Sequence, residues 1–176
     1  MNQNKTDDAK SVLNEALELG GSKGADLVNQ GKIYMKLGDL TMAEEKLQKA
    51  MDKGEVSANL AMAELNVLKT PSDYTLACQY FETYLAAVTN DAEAYNKYGL
   101  CLMDMEDYAK AEMIFTQGVA LNNRLLDRTV SKNQIAAAER AGNWEKALEY
   151  INVYLEKYSD DSDAVREKTF IQTRIR

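Results

Sequence analysis

The chain has 176 residues, of which 45% are apolar and 28% charged, and its formal net charge is −7 at pH 7. This length suits one domain with a large buried area. The negative charge disfavours nucleic acid and anionic membrane surfaces as main targets, because both attract basic proteins. The chain contains no histidine, which removes histidine-based catalytic triads and histidine metal sites.

No apolar run in the sequence approaches the ~18–20 residues that a membrane-spanning helix needs. The segment Met1–Lys5 lacks the apolar core of a signal peptide. We therefore expect no membrane insertion, and a cytoplasmic location is favoured although the sequence does not fix the compartment. A fragment of a longer or exported protein is the alternative.

Ten stretches carry apolar residues at the three- and four-residue spacing of amphipathic helices. In chain order they are Asp7–Leu19, Ala25–Leu37, Leu40–Asp52, Ser57–Lys69, Tyr74–Thr89, Ala92–Met105, Tyr108–Leu121, Arg124–Ala141, Trp144–Tyr158 and Asp161–Arg174. The first has the pattern of the second helix of a hairpin, so the chain is either a piece of a longer array or begins with a natural cap. Two additional residues in Leu121–Arg128 indicate a longer helix or a wider turn. The last stretch is polar on its outer face, as terminal caps of repeat arrays are.

Small and large apolar residues recur in fixed columns along these stretches. An alanine early in each second helix recurs at spacings of 34, 34, 34 and 36 residues, as Ala9, Ala43, Ala77, Ala111 and Ala147. A large apolar residue follows four positions later, as Leu13, Leu47, Phe81, Phe115 and Ile151. A capping residue precedes four of these helices, as Asp39, Asp73, Asp107 and Asn143. Gly31 and Gly99 lie in first helices, two 34-residue periods apart. Since small residues let helix backbones approach closely, the columns predict helix hairpins that stack on one another.

A period near 34 with two helices per unit resembles the tetratricopeptide repeat (TPR). The match is best at Ala92–Leu125 and good at Gly24–Ser57. Ala58–Asp91 and Arg128–Asp161 match in the second helix only, with Leu65 and Ile135 at the position of the small residue in the first helix. The proline that closes the consensus unit is missing throughout.

The resemblance implies an all-α, right-handed superhelical solenoid of antiparallel helix hairpins in one continuous domain. Its expected parts are a half-repeat capping helix in residues 1–23, four hairpins at 24–57, 58–91, 92–127 and 128–161, and a C-terminal capping helix at 162–176.

In arrays of this family the first helices line a concave groove, and the resemblance therefore implies a binding groove here. The candidate groove residues are mostly basic, amide or methionine side chains: Lys32, Met35, Lys36, Asn59, Met62, Asn66, Asn96, Lys97, Met103, Lys132, Asn133, Arg140 and Arg166. Asparagine can bond a peptide backbone as donor and acceptor, cations can pair with carboxylates, and methionine adapts to varied side chains. The groove is thus expected to hold an extended or helical segment of another protein, including an acidic one. A solvated helix face that happens to be basic is the alternative, because Glu93, Asp104 and Glu139 lie nearby.

One family subtype can be tested on the residues. The clamp that binds the carboxyl ends of chaperones needs lysine and asparagine one turn apart on the first groove helix, where this chain has Val28 and Lys32. The next required asparagine is Ala63. A co-adaptor for chaperone tails is therefore disfavoured.

We expect a protein-interaction scaffold without cofactor. The runner-up is a structural role, in which the array stacks on a copy of itself or on further units through Leu13 and Leu17. An enzyme is disfavoured, because Gly24–Lys32 lacks the spacing of a phosphate loop and Asp160–Asp163 lacks the glycine and distal glutamate of a calcium loop. Cys78 and Cys101 are interpreted as buried side chains, with a disulfide between them left open.

Overall fold

The computed structural model describes the backbone of residues 2–175 and the side chains of residues 10–175. Within these residues every regular element is an α-helix. The helices are α1 (Asn2–Glu18), α2 (Gly24–Leu37), α3 (Leu40–Asp52), α4 (Ser57–Leu68), α5 (Tyr74–Ala87), α6 (Ala92–Asp104), α7 (Tyr108–Ala120), α8 (Asp127–Arg140), α9 (Trp144–Lys157) and α10 (Ser162–Gln172). They form two compact units, unit 1 (Met1–Ala87) and unit 2 (Val88–Arg176).

Unit 1 is built on two helix hairpins, α2–α3 and α4–α5. Helix α4 also packs against α3 and α2, and α1 contacts α2. The core between them contains Leu27, Leu47, Met62 and Leu65, with the ring of Tyr80 packed against it. One hairpin cannot bury its apolar face alone, and here the second hairpin covers the first.

Unit 2 has the hairpins α6–α7 and α8–α9, followed by α10. Helix α8 packs against α7 and α6, and α10 packs against α9. Its core includes Ile135, Ile151 and Ile171, which are at most 5% exposed. At the end of this unit the ring of Trp144 meets that of Phe170 edge to face, with the ring centroids 6.0 Å apart.

The glycines of the first helices stand where two helices cross at close range. A Cβ atom on Gly31 would lie 2.6 Å from Cγ of Leu47, and one on Gly99 would lie 2.6 Å from Cζ of Phe115. These are helix–helix contacts across the α2–α3 and α6–α7 hairpins, so the large apolar column fills the space that each missing side chain leaves. The predicted role of small residues in close packing is confirmed at both crossings.

The alanine column lies in the core wherever its side chains are described. Ala43, Ala77, Ala111 and Ala147 are all 0% exposed. Ala9 lies outside the part of the chain whose side chains are described. Leu65 and Ile135, which occupy the small-residue position in the less regular units, are also buried, at 0% and 5% exposure. The thiols of Cys78 and Cys101 are buried as well.

Acidic and amide side chains cap the second helices, as their position in the sequence predicts. The carboxylate of Asp39 accepts from the backbone N–H of Met42 at 3.0 Å, and that of Asp73 accepts from Leu76 N–H at 3.0 Å. The corresponding oxygen in Asn143 accepts from Lys146 N–H at 3.5 Å.

The residue before three of these caps is left-handed. Gly38 and Gly142 have φ angles of 83° and 74°, whereas Glu106 adopts a φ of 61° without being glycine. A left-handed residue ends the first helix and turns the chain into the second within two residues.

The helix ends differ most from the predicted ones at the start of α1, which is Asn2 instead of Asp7, and around α8. That helix begins at Asp127 rather than Arg124, because Asn122 turns left-handed with a φ of 50°. The side-chain oxygen of Asn123 then accepts from the N–H of Leu125 at 3.1 Å. The two additional residues in this segment therefore form the wider turn, one of the two predicted alternatives.

Candidate functional site

The candidate residues of unit 1 lie on α2 and α4. Lys36 is exposed, and Lys32 and Met35 are half-buried, with Met35 packed against the core. None of the described carboxylates forms an ion pair with either lysine. Asn59 is half-buried, and its Nδ2 donates to the carbonyl oxygen of Val56 at 3.2 Å. Two cations and one amide of unit 1 thus remain accessible on the first helices.

Two predicted groove residues of unit 1 are buried and do not belong to an accessible surface. Met62 is 2% exposed and Asn66 is 0% exposed. Nδ2 of Asn66 donates to the carbonyl oxygen of Met62 at 2.8 Å, while its Oδ1 is buried without a described partner. Helix α4 contacts α2, α3 and α5, so several of its faces are covered. Val28 on α2 is likewise buried, at 3% exposure.

In unit 2 two predicted asparagines are joined across neighbouring first helices. Nδ2 of Asn133 on α8 donates to Oδ1 of Asn96 on α6 at 2.8 Å. Both side chains are half-buried, as is Met103, and Leu100 beside them is 42% exposed. The bond fixes the orientation of both amides, so that this face presents polar groups in defined positions beside an apolar one.

The predicted cations of unit 2 are already engaged within the chain. Nζ of Lys97 lies 2.6 Å from a carboxylate oxygen of Glu93, and Nζ of Lys132 lies 2.7 Å from Oδ2 of Asp161. Arg166 pairs with the carboxylate of Asp163. These cations therefore offer a partner less positive charge than their number suggests.

Arg140 makes a different kind of contact. Its guanidinium carbon lies 5.9 Å from the centre of the Tyr108 ring, which is within the range of a cation–π interaction. The side chain is exposed, so one edge of the guanidinium faces solvent.

Asp161 is the most heavily bonded carboxylate of the candidate region. Besides Lys132 it accepts from the hydroxyl of Tyr154 at 2.6 Å and, through Oδ1, from the N–H of Ala164 at 3.2 Å. The hydrogen bonds from Lys132 and Tyr154 hold the pKa of this carboxyl well below its usual range. Asp161 thus caps the start of α10, and the same carboxylate ties α10 to α8 and α9.

A cavity of about 250 Å³ lies between α8, α9 and α10. Glu139 and Glu167 line it together, beside apolar side chains such as Ile135 and Ile151. Oε1 of Glu139 is buried and accepts no hydrogen bond from the described residues. Burial and the neighbouring Glu167 carboxyl raise the pKa of Glu139 to about 7. Sequence spacing places Glu139 near the candidate residues but does not bring Glu167, 28 positions later, beside it.

Two further buried carboxylates of unit 2, on α7 and α8, accept hydrogen bonds from α9 and from the residue just after it. Oε1 of Glu112 on α7 accepts from Nζ of Lys146 at 2.9 Å and from the hydroxyl of Tyr150 at 2.7 Å, both on α9. Asp127 on α8 accepts from the hydroxyl of Tyr158 at 2.6 Å. Although burial opposes it, hydrogen bonds from Lys157 and Tyr158 hold the pKa of Asp127 below its ordinary value. All of these groups have partners, which indicates a structural role.

The described residues contain no helix with the length and apolarity to cross a membrane. Across the same residues, histidine, cysteine and acidic side chains form no group of three or more that could hold a metal ion.

Comparisons with known proteins agree with the repeat. A tetratricopeptide repeat model matches residues 27–52, and the model of the EMC2 TPR-like repeat domain matches residues 103–175. No curated protein sequence matches the chain.

Several solved structures share the fold at low sequence identity. MamA is 22% identical with a TM-score of 0.69, over 89% of this chain and 91% of that chain. YrrB, described as a TPR protein with an unusual peptide-binding site, is 21% identical with a TM-score of 0.65, over 94% and 84% of the two chains. TTC0263, a thermophilic TPR protein in Thermus thermophilus, is 16% identical with a TM-score of 0.63, over 95% and 90%.

These similarities confirm the predicted fold class, an all-α TPR solenoid. The columns of alanine, glycine and large apolar residues, the two repeat models and the shared fold all lead to the same family. The chain thus has a TPR fold and carries tetratricopeptide-like repeats, which family models match at residues 27–52 and 103–175.

Proposed function

We propose that this chain is a protein-interaction scaffold that binds a peptide or helical segment of another protein on the faces of its first helices. The proposal includes the repeat boundaries expected from the sequence, with hairpins at 24–57, 58–91, 92–127 and 128–161 between two capping helices. These faces correspond to the concave groove of TPR arrays. The peptide-binding site named for YrrB supports the proposal, because that protein has the same fold.

The observation that carries the proposal is the bonded pair of Asn96 and Asn133. Their mutual hydrogen bond uses Nδ2 of Asn133 and Oδ1 of Asn96. Oδ1 of Asn133 can then accept from a peptide N–H, and Nδ2 of Asn96 can donate to a peptide carbonyl. Leu100, 42% exposed on the same helix as Asn96, offers apolar contact to a side chain of the bound segment.

The experiment is a selection of random peptides displayed on phage against the intact protein, followed by affinity measurements on the selected peptides. Replacing both asparagines, Asn96→Ala with Asn133→Ala, removes two peptide hydrogen bonds of about 0.7 kcal/mol each, so we expect roughly tenfold weaker binding. Gln117→Ala, an exposed position on α7 in the same unit, is the matched control and should bind normally. Selection that yields no binder, or binders indifferent to the double variant, would contradict the proposal.

A second candidate is self-association through the first helix, which one observation favours. On α1, Val12 is 64% exposed, and Leu19 just after the helix is 88% exposed. Leu13 and Leu17, which the sequence predicts as stacking residues, are half-buried. Stacking of a further repeat on α1 would cover these side chains.

A further inference from the structure

The cavity between α8, α9 and α10 differs in charge from the rest of the candidate surface. Its volume of about 250 Å³ far exceeds the roughly 30 Å³ that one water occupies in the liquid, so a side chain has room to enter. Ile135, Ala136, Ile151 and Ala164 form apolar walls, and Glu139 and Glu167 supply carboxyls from opposite helices. A cavity with both apolar walls and carboxyls suits a long side chain with a cationic head.

Among the described residues that line the cavity, Lys132 is the one cation, and it is paired with a carboxylate other than Glu139 and Glu167. The charged groups that face Glu139 are Lys132 on the same helix and Asp163 and Glu167 on α10, while α9 contributes Ile151. The ammonium of Lys132 is held by Asp161 at 2.7 Å. Asp163 is paired with Arg166. The like charge of Glu167 therefore lies beside Glu139, while the one cation of the lining, Lys132, is engaged by Asp161.

A buried oxygen provides an independent sign that a donor is missing. Oε1 of Glu139 is buried, and when both carboxyls are ionised no residue that the structure describes donates a hydrogen bond to it. A buried acceptor without a donor is unfavourable, so a ligand that supplies the donor is favoured there.

We propose that this cavity receives an arginine or lysine side chain of the bound segment, whose cation pairs with Glu139 and Glu167. This inference rests on the proposed function, since it assigns a subsite to the peptide bound on the first-helix face of unit 2. The methylene groups of the incoming side chain pack on Ile135 and Ile151. The cation donates to Oε1 of Glu139, and a proton bound to Glu139 is released to water when the cation enters.

The inference changes the expected chemistry of the partner. The number of cations on the first helices favours an acidic segment, but in unit 2 Lys97, Lys132 and Arg166 each pair with a carboxylate of the chain, and Arg140 lies over the ring of Tyr108. The carboxyls of Glu139 and Glu167 are therefore the charged groups that this cavity offers to a partner. The segment bound by unit 2 therefore carries a basic residue at this point.

The first test uses N-acetyl-arginine amide as the probe and follows the carboxyl carbons of Glu139 and Glu167 by NMR during a pH titration. An opposite charge at contact distance lowers a carboxyl pKa by about one unit or more, so we expect a saturable fall in the pKa of Glu139. N-acetyl-citrulline amide has nearly the same shape without the charge and should leave the pKa unchanged. Potassium chloride at matched concentration controls for ionic strength.

The second test uses the peptides selected against the intact protein. We expect lysine or arginine at one position of those peptides, and about tenfold weaker binding to Glu139→Gln and to Glu167→Gln. Glu145→Gln, exposed at the start of α9, is the matched control and should bind as the wild type does. Circular dichroism checks that each variant remains helical.

The outcomes separate this inference from the proposed function. Peptides that need Asn96 and Asn133 but not the two glutamates, together with an unchanged pKa of Glu139 in the arginine probe, overturn the cation subsite and leave the scaffold function standing. A pKa that falls with the arginine probe while no peptide binds supports the cation site and contradicts peptide binding as the function.

Discussion

A single missing methyl group controls how closely the helices of each regular hairpin approach. On Gly99 that methyl group would sit 2.6 Å from Cζ of Phe115, and on Gly31 it would sit 2.6 Å from Cγ of Leu47. Both distances are far below the ~3.5–4.0 Å at which carbon atoms attract. The ring and the leucine side chain would have to move within a filled core.

The substitution Gly99→Ala should therefore destabilise the protein. Alanine gains about 1 kcal/mol of helix propensity over glycine, but overpacking a filled core costs about 1–3 kcal/mol. We expect a net loss of about 1 kcal/mol, within a range of about 0–2 kcal/mol, in the free energy of unfolding, measured by urea denaturation.

Phe115→Leu provides the partner for a double-mutant cycle. The smaller side chain makes room for the added methyl group, so the double variant should lose less stability than the two single variants summed. A Gly99→Ala variant that is more stable than the wild type would show that the helix propensity of alanine outweighs the crowding, and that the α6–α7 crossing has room for a methyl group.

At this scale the sequence predicts packing well and accessibility less well. Periodic spacing identifies Ala43, Ala111 and Phe115 as core residues, because only buried positions must keep a fixed size at a fixed interval. It does not identify Met62 and Asn66 as buried. Their burial depends on how many neighbours cover α4, which is a property of the packed helices and not of the local pattern.

Between elements, the last four helices of unit 2 are joined through carboxylates. Glu112 links α7 to α9, and Asp161 links the start of α10 to α8 and α9. A charge-assisted bond is roughly twice as strong as a neutral one. The carboxylates therefore add directional bonds to the apolar packing of these helices.

The substitution Asp161→Asn tests this link through its dependence on pH. The folded pKa of Asp161 lies below its value of 3.8 in the unfolded chain. The carboxylate thus stabilises the fold above about pH 4, and this contribution is lost as the pH falls below that value toward the folded pKa. We expect wild type to be more stable than Asp161→Asn at pH 7, with the difference shrinking by pH 3, as measured by urea denaturation.

Asp163→Asn is the matched control on the same turn. Asp163 pairs with Arg166, but the two side chains are 75% and 78% exposed, and such pairs contribute little. We expect only a small change in stability at either pH. An equal effect of both substitutions would show that Asp161 acts as an ordinary surface charge.

The pattern of helices follows from the sequence, but the contacts that join them do so only in part. The caps at Asp39 and Asn143 are local, three residues from their donors, and so a short motif identifies them. The bonds of Asp161 to Lys132 and Tyr154 span 29 and 7 residues, and no periodic column contains them. The cavity with Glu139 and Glu167 is also a long-range feature, because α8 and α10 approach each other only in the folded structure.

For the whole molecule, the fold class was predictable because the same pattern of small and large apolar residues recurs in successive helix hairpins. The boundaries of the four hairpins stay a prediction, as does the assignment of α1 and α10 as caps. The partner was not predictable, since a repeat fixes how helices stack and leaves the outward side chains nearly unconstrained.

The association state distinguishes the scaffold from the stacking alternative. With a net charge of −7, copies of the chain repel one another at low salt. We therefore expect light scattering to give one mass, that of a monomer, from micromolar to high micromolar concentration. A mass that rises with concentration, and that falls again in Val12→Asp, would favour stacking through α1.

The pairing of Trp144 with Phe170 has a practical consequence. Trp144 is the single tryptophan of the chain, and the guanidinium carbon of Arg174 lies 5.7 Å from the centre of its ring. Its indole thus touches two residues contributed by α10 and the segment after it. The intrinsic fluorescence of this tryptophan therefore reports whether α10 is packed against α9.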